Sequence, residues 1–222
     1  MTQKDLTNFK VFRQEVENFL KSQQVVLCKE SRDGRVNSQK DEDIIIELLN
    51  EHYADYIVIP EARHWFDIMH KQTKTPINIK STSMAGTDNA SNFLSLLYCF
   101  TDLKIKPERR ANKTKDWKEL VTWLKNNTSK VHENNRDYWF LVVSKNNTKE
   151  VFWNSLKKLP SPTLNPSNMP FQVNWEKNKN ICQRTHEESL VLYYKLVHNG
   201  IKKIINNWEY DNSKEVFECL IK

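Results

Sequence analysis

The sequence predicts a single domain of α/β (α+β) class, a central mixed β-sheet flanked by helices. Three observations predict it. Stretches with apolar residues at helical spacing alternate with short runs rich in Val, Ile, Trp and Tyr. Two such runs, 138–144 (YWFLVVS) and 150–156 (EVFWNSL), are joined by the turn Asn146-Asn147-Thr148-Lys149, which predicts a hairpin. With 222 residues, 38% of them hydrophobic and 11% aromatic, the chain can bury a substantial core.

Residues 4–22 carry Phe9, Phe12, Val16 and Leu20 at helical spacing and predict a surface helix. After a polar loop from Arg32 to Asn37, a second helix is expected to start at Ser38 as N-cap. Asp41 at the third position makes a near match to a capping box, and EDIIIELLNEHY continues the helix. Segments 55–59 (DYIVI) and 65–70 lead into a strand at 76–81. Gly86 marks a turn. DNASNFLSLLYCF then predicts a helix with Ala90, Phe93, Leu94, Leu97 and Tyr98 on one stripe. Another helix is expected over 115–127, with Trp117, Leu120, Val121 and Leu124 inward. Four prolines between Leu159 and Pro170 exclude regular structure there. FQVNW (171–175) alternates like a strand, and a last helix runs from about His186 to Asn206. The hairpin tryptophans Trp139 and Trp153 are expected in the core.

Composition narrows the chemistry. Three glycines (Gly34, Gly86, Gly200) exclude a glycine-rich phosphate loop. The cysteines Cys28, Cys99, Cys182 and Cys219 are scattered without a CxxC pair, which argues for free thiols in a reducing compartment over a disulfide or zinc site. His64 and His70 are spaced for neither same-face ligation on a helix nor a zinc knuckle, and are expected to pack or line a rim. A net charge of +6 fits nucleic-acid contact without requiring it. The N-terminus lacks a signal-peptide pattern, and no apolar run approaches membrane-spanning length, so a soluble cytoplasmic protein with no membrane partner is expected.

Chemistry concentrates in 62–83, ARHWFDIMHKQTKTPINIKSTS. Asp67 lies in an apolar segment where an unpaired carboxylate would be costly. After a polar turn, Asn78 and Lys80 share one face of a strand and Ile77 and Ile79 take the other. Taken alone, Asp67 pairing a neighbour such as Arg63 would be ordinary, as would a solvated Lys80. Together, an acid, an amide oxygen and a lysine at one sheet edge suit a hard cation beside an attacked phosphate. Glu42 is a third candidate, because three-, four- and seven-residue spacing puts it in line with Ile45, Ile46 and Leu49. Asp41 or Asp43 would be the inward acid if that register slips, and plain first-turn acidity would also account for all three.

Here the chain resembles the PD-(D/E)xK nucleases: a helix with an early Glu, an Asp on a strand, then a strand ending x-x-Lys. More narrowly, ARHWFD, PINIKST and GTDNASN before an apolar helix resemble a group of small type II restriction endonucleases, as do NSQKDEDIIIELL upstream and QVNW with an Arg-Thr helix start downstream. The resemblance covers about residues 34–205. The chain departs from the superfamily in having Asn78 where Asp or Glu is usual, and in lacking Pro immediately before Asp67.

The resemblance implies a restriction-endonuclease-like core and Mg²⁺-dependent, sequence-specific hydrolysis of double-stranded DNA leaving 5′-phosphates, by a homodimer. It also implies one or two Mg²⁺ ions on Asp67, Asn78 and Glu42, with Lys80 catalytic. One endonuclease domain then spans 1–222: an N-terminal helix and loop (1–37), the catalytic core (38–156), DNA-recognition loops (157–185) and a C-terminal helix and tail (186–222). Gln172 and Asn174 suit bidentate contacts to adenine, or are solvated amides of an edge strand. The proline-rich loop with Asn165, Ser167 and Asn168 is long enough to enter a groove. Ser81, Thr82 and Lys177 are further candidates for DNA contact, with Arg184 and Thr185 at a helix start suited to phosphate. Asp88 and Asn89 are expected to cap the following helix. Two rivals stand beside this expectation: a repair or junction-resolving nuclease of the same superfamily, and a catalytically silent DNA-binding protein.

Overall fold

In the computed structural model, helix α1 (Phe9–Ser22) starts at Asn8, whose Oδ1 accepts the Lys10 and Val11 amides. It buries the predicted stripe Phe12, Val16 and Leu20. Residues 5–23, 27, 34–61, 64–91, 93–101, 122, 126, 136–164 and 171–204 are described. Helix α2 (Gly34–Tyr53) begins one turn earlier than expected. Ser38 therefore lies inside the helix, and its hydroxyl accepts from Lys145 Nζ at 3.4 Å instead of capping. Asp41, Ile45 and Leu49 form the fully buried row, with Glu42 and Ile46 on its half-buried shoulder. Asp41, not Glu42, thus leads the stripe.

Five strands make the main sheet in the order β1 (Ile57–Val58), β2 (Ile68–His70), β3 (Thr75–Thr82), β5 (Trp139–Ser144), β6 (Val151–Ser155). β1, β2 and β3 are antiparallel, with Ile68 opposite Ile77. β3 runs parallel to β5, and β5–β6 is the predicted antiparallel hairpin. The mixed α+β class follows directly. The polar turn between β2 and β3 takes a left-handed residue, Lys74 at φ 54°.

The stretch read as one helix after Gly86 divides in two. Thr87–Ser91 is strand β4, and only Phe93–Phe100 is helical (α3). Thr, Asp, Asn and Ser compete for helix backbone hydrogen bonds, and here β8 (Phe171–Asn174) offers β4 an antiparallel edge. Asp88 and Asn89 therefore pair with Val173 and Gln172 and are not a helix cap. β7 (Thr163–Leu164) completes this second sheet, β4–β8–β7. It also corrects the expectation of no regular structure between the prolines, since the missing Pro162 N–H falls just outside the ladder. The final helix, α4, is His186–Ile204. Of the expected helix at 115–127, only Thr122 and Asn126 are described, both helical, and the rest lies outside the described residues.

The main sheet separates two cores. α1 and α2 pack with Ile57, Ile68, Ile77, Ile79, Leu141, Val143 and Trp153 on one face. α3, α4 and the second sheet pack with Trp65, Tyr138, Phe140, Val142, Phe171 and Trp175 on the other. His70 is a packing residue as expected, fully buried against Phe9 and Phe12 and bonded to the Leu6 carbonyl and Thr73. Cys99 is buried in α3 and Cys182 is a second free thiol, whereas Cys28 and Cys219 lie outside the described residues.

Candidate active site

The strand period delivers the first part of the site. Ile77 and Ile79 are fully buried toward α1 and α2, while Asn78 and Lys80 are half-buried on the opposite face. Asp67 immediately precedes β2 and is held against β3 twice. Its N–H donates to the Ile77 carbonyl at 3.0 Å, and its Oδ2 accepts the Ile79 N–H at 2.6 Å. The carboxylate is thereby fixed beside the lysine strand.

Lys80 Nζ reaches Glu42 Oε1 at 3.1 Å, joining α2 to β3. Burial pushes the Glu42 carboxyl up to about 7; Lys80 counters this, and Asp67 and Asp88 push further. Burial also raises Asp67, with Lys80 and the Ile79 N–H opposing it. Burial works against the Lys80 charge, but Glu42 and Asp67 outweigh it and hold the ammonium above its ordinary range. Two acids resist ionising beside one cation. That imbalance favours a further positive charge.

Of the alternatives to Glu42, Asp41 is closed off. It is fully buried, accepts Lys145 Nζ at 2.8 Å, and takes the Ser81 hydroxyl at 3.2 Å. Asp43 is exposed. Asn78 Oδ1 is buried and, among the described residues, has no hydrogen-bond partner.

Asp88 was not anticipated here. Its Oδ2 is likewise buried without a partner, and its charge acts on both Glu42 and Lys80. Nothing local in the sequence signals this, because it depends on the β3–β4 turn. That turn places Met84 at φ 72°, with its N–H on Thr82 Oγ1, and is tied by the Asn146 amide to the Ser83 carbonyl and by the Asn174 amide to those of Ala85 and Gly86.

Among the described residues, no three His, Cys, Asp or Glu side chains gather at metal-ligand spacing. A cation here would therefore rest on two carboxylates, the orphaned Asn78 oxygen and water, a set within the habits of Mg²⁺. The donor types fit a hard cation.

Several expected DNA contacts are engaged inside the protein. Ser81 and Thr82 are buried, on Asp41 and on the Met84 N–H. Asn174 holds the β3–β4 turn and accepts the Lys177 N–H. The Arg184 guanidinium donates to the carbonyls of Lys157, Leu159 and Pro160. Thr185 and Glu188 form a reciprocal capping box, which uses the α4 N-terminus that would have met a phosphate. Its Thr-x-x-Glu spacing was legible in the sequence. Lys177 is exposed and Gln172 half-buried, so both remain accessible. Asn165, Ser167 and Asn168 lie outside the described residues, as does Arg63. His64 is half-buried, its ring edge-on to that of Phe66.

No family model, curated protein or solved structure matches the chain.

Proposed function

We propose that this protein is a Mg²⁺-dependent type II restriction endonuclease, acting as a homodimer on a symmetric site in double-stranded DNA. The observation that carries the proposal is the Lys80–Glu42 ion pair on β3, the strand to which the Asp67 carboxylate is bonded, with Asn78 on the same strand face as Lys80 and its Oδ1 unpartnered among the described residues. The sequence resemblance to small restriction enzymes assigns the same residues.

Asp67, Asn78 and Glu42 would hold the cation, which when bound supplies Lewis-acid activation of water and neutralises phosphate charge. Glu42 joins that set only after losing its proton. Lys80, kept charged by its two acids, orients the attacking water and faces the negative charge on the phosphoryl oxygens in the transition state. Water adds to phosphorus and the P–O3′ bond breaks, giving a 5′-phosphate and a 3′-hydroxyl. Two such centres related by a twofold axis cut both strands. Recognition falls to Gln172 and Lys177, since Asn174 and Arg184 are occupied elsewhere.

Digestion of a sequenced phage genome by the purified protein tests the proposal. Discrete fragments whose ends map to one sequence are expected with Mg²⁺ and none with chelator. Cutting directed by nicks or junctions would favour the repair or junction-resolving alternative. Absence of cleavage with Mg²⁺ or Mn²⁺, with DNA binding retained, would leave a silent DNA-binding protein.

A further inference from the structure

Asn174, the last residue of β8, spends both ends of its side-chain amide on backbone. Nδ2 donates to the carbonyls of Ala85 and Gly86 at 3.0 and 3.2 Å, and Oδ1 accepts the Lys177 N–H at 3.1 Å. An amide nitrogen only donates and its oxygen only accepts, so carbonyls on one side and an N–H on the other admit a single orientation. The ladder partner of Asn174 on β4 is Thr87. Its side chain therefore reaches past the end of the ladder and grips the β3–β4 turn itself.

The grip is well anchored behind. Asn178, fully buried in the 3₁₀ turn Glu176–Asn178, donates to the Asn174 carbonyl at 2.7 Å and accepts the Ser161 N–H at 2.9 Å. Asn154 of β6, also fully buried, donates to the Asn178 carbonyl at 2.6 Å. What is gripped is less firmly held. From Asn78 onward β3 has a ladder partner only in β5, because its pairing with β2 ends at Ile77 and the Asp67 carboxylate takes the Ile79 N–H beyond it. Lys80 lies in this half-held stretch, just before the strand ends at Thr82. Gln172 and Lys177, the accessible candidates for DNA contact, flank Asn174 on either side in the chain.

We propose that Asn174 is a positioning residue: it ties the DNA-contacting surface around Gln172 and Lys177 to the β3–β4 turn, so that the correct sequence seated on that surface fixes the end of β3 and with it Lys80. This role rests on the nuclease function proposed above. A misplacement of about 1 Å costs roughly a hundredfold in rate, so a small slackening of the turn is enough to idle Lys80. Aspartate at position 174 separates the two halves of the grip. A carboxylate still accepts the Lys177 N–H but donates to neither carbonyl.

Single-turnover cleavage at saturating DNA is to be compared for wild type and Asn174→Asp, on the mapped site and on the same duplex with one base pair changed. Asn174→Asp is expected to cut the mapped site roughly tenfold or more slowly and to lose most of the wild-type preference over the altered duplex. The added charge acts on both duplexes alike, so the preference is insensitive to it. Wild-type rate and preference in the variant would overturn the role while leaving the nuclease standing. An equal slowing on both duplexes would also overturn it, by reducing Asn174 to a structural brace. Wild type that cuts no DNA would defeat the nuclease reading and this role together. Hydrogen exchange of the wild type gives a readout that needs no variant to fold. With Ca²⁺ in place of Mg²⁺, the mapped duplex at saturation should protect the backbone amides of residues 83–87 more than the altered duplex does, and equal protection by both would contradict the coupling.

Discussion

Two neighbouring acids on α2 meet two lysines, and the pairs differ in kind. Asp41 is fully buried, bonded to Lys145 and Ser81, and so has the partners a buried charge needs. Glu42 retains 20% side-chain exposure and shares its single lysine with Asp67 and, more weakly, Asp88. The first pair closes the end of the sheet. The second, on central strand β3 and not at the sheet edge the sequence suggested, is left with an excess of acid, and its carboxyl rises to about 7. One step along a helix separates a structural ion pair from a candidate catalytic one.

The largest effect expected from breaking this contrast is at Lys80. Lys80→Ala should lower single-turnover cleavage by roughly a thousandfold, as loss of a preorganised charge-stabilising donor does, with DNA affinity measured by gel shift largely retained. Cleavage by that variant at the wild-type rate would remove Lys80 from the mechanism. Next, Asp41→Asn should cost about 3 kcal/mol in denaturant unfolding, because Lys145 is left buried beside an uncharged partner. A cost as small as that of a surface change would mean the pair is not structural.

The third effect is a pH dependence. Glu42 has a folded value of about 7 against an ordinary value of 4.5, so the folded form binds its proton more tightly. Its favourable contribution is present below 4.5 and is lost as pH rises through about 7. Glu42→Gln should flatten stability over that window in a pH series of melts, and wild-type cleavage should rise with pH through the same range. An unchanged pH slope in E42Q would assign the dependence to another group. The smallest effect is at the α4 cap: Thr185→Ala should cost about 1 kcal/mol in stability while leaving the DNA affinity of the folded protein unchanged. A weaker affinity in the folded variant would restore Thr185 as a phosphate contact.

What the sequence made legible was local. Period-two alternation put Asn78 and Lys80 on one face and Ile77 and Ile79 on the other, and it oriented FQVNW with Phe171, Val173 and Trp175 inward. The turn composition at 146–149 was enough to give the β5–β6 hairpin. Rotation of α2 was harder to read, because a helix turns far enough per residue that Asp41 and Glu42 exchange roles with a small shift. β4 was not legible, since a Thr-Asp-Asn-Ala-Ser segment becomes a strand only when the distant β8 offers it an edge. Nor were the roles of Asn174 and Arg184, whose partners are backbone carbonyls, groups that carry no residue identity.

The contrast between the two acids is tested most directly by single-turnover cleavage of the mapped site at pH above 7, using folded wild type, D41N and E42Q. The account predicts that D41N cuts at close to the wild-type rate and that E42Q is slower by roughly a hundredfold. The reverse order, with E42Q active and folded D41N silent, would contradict it.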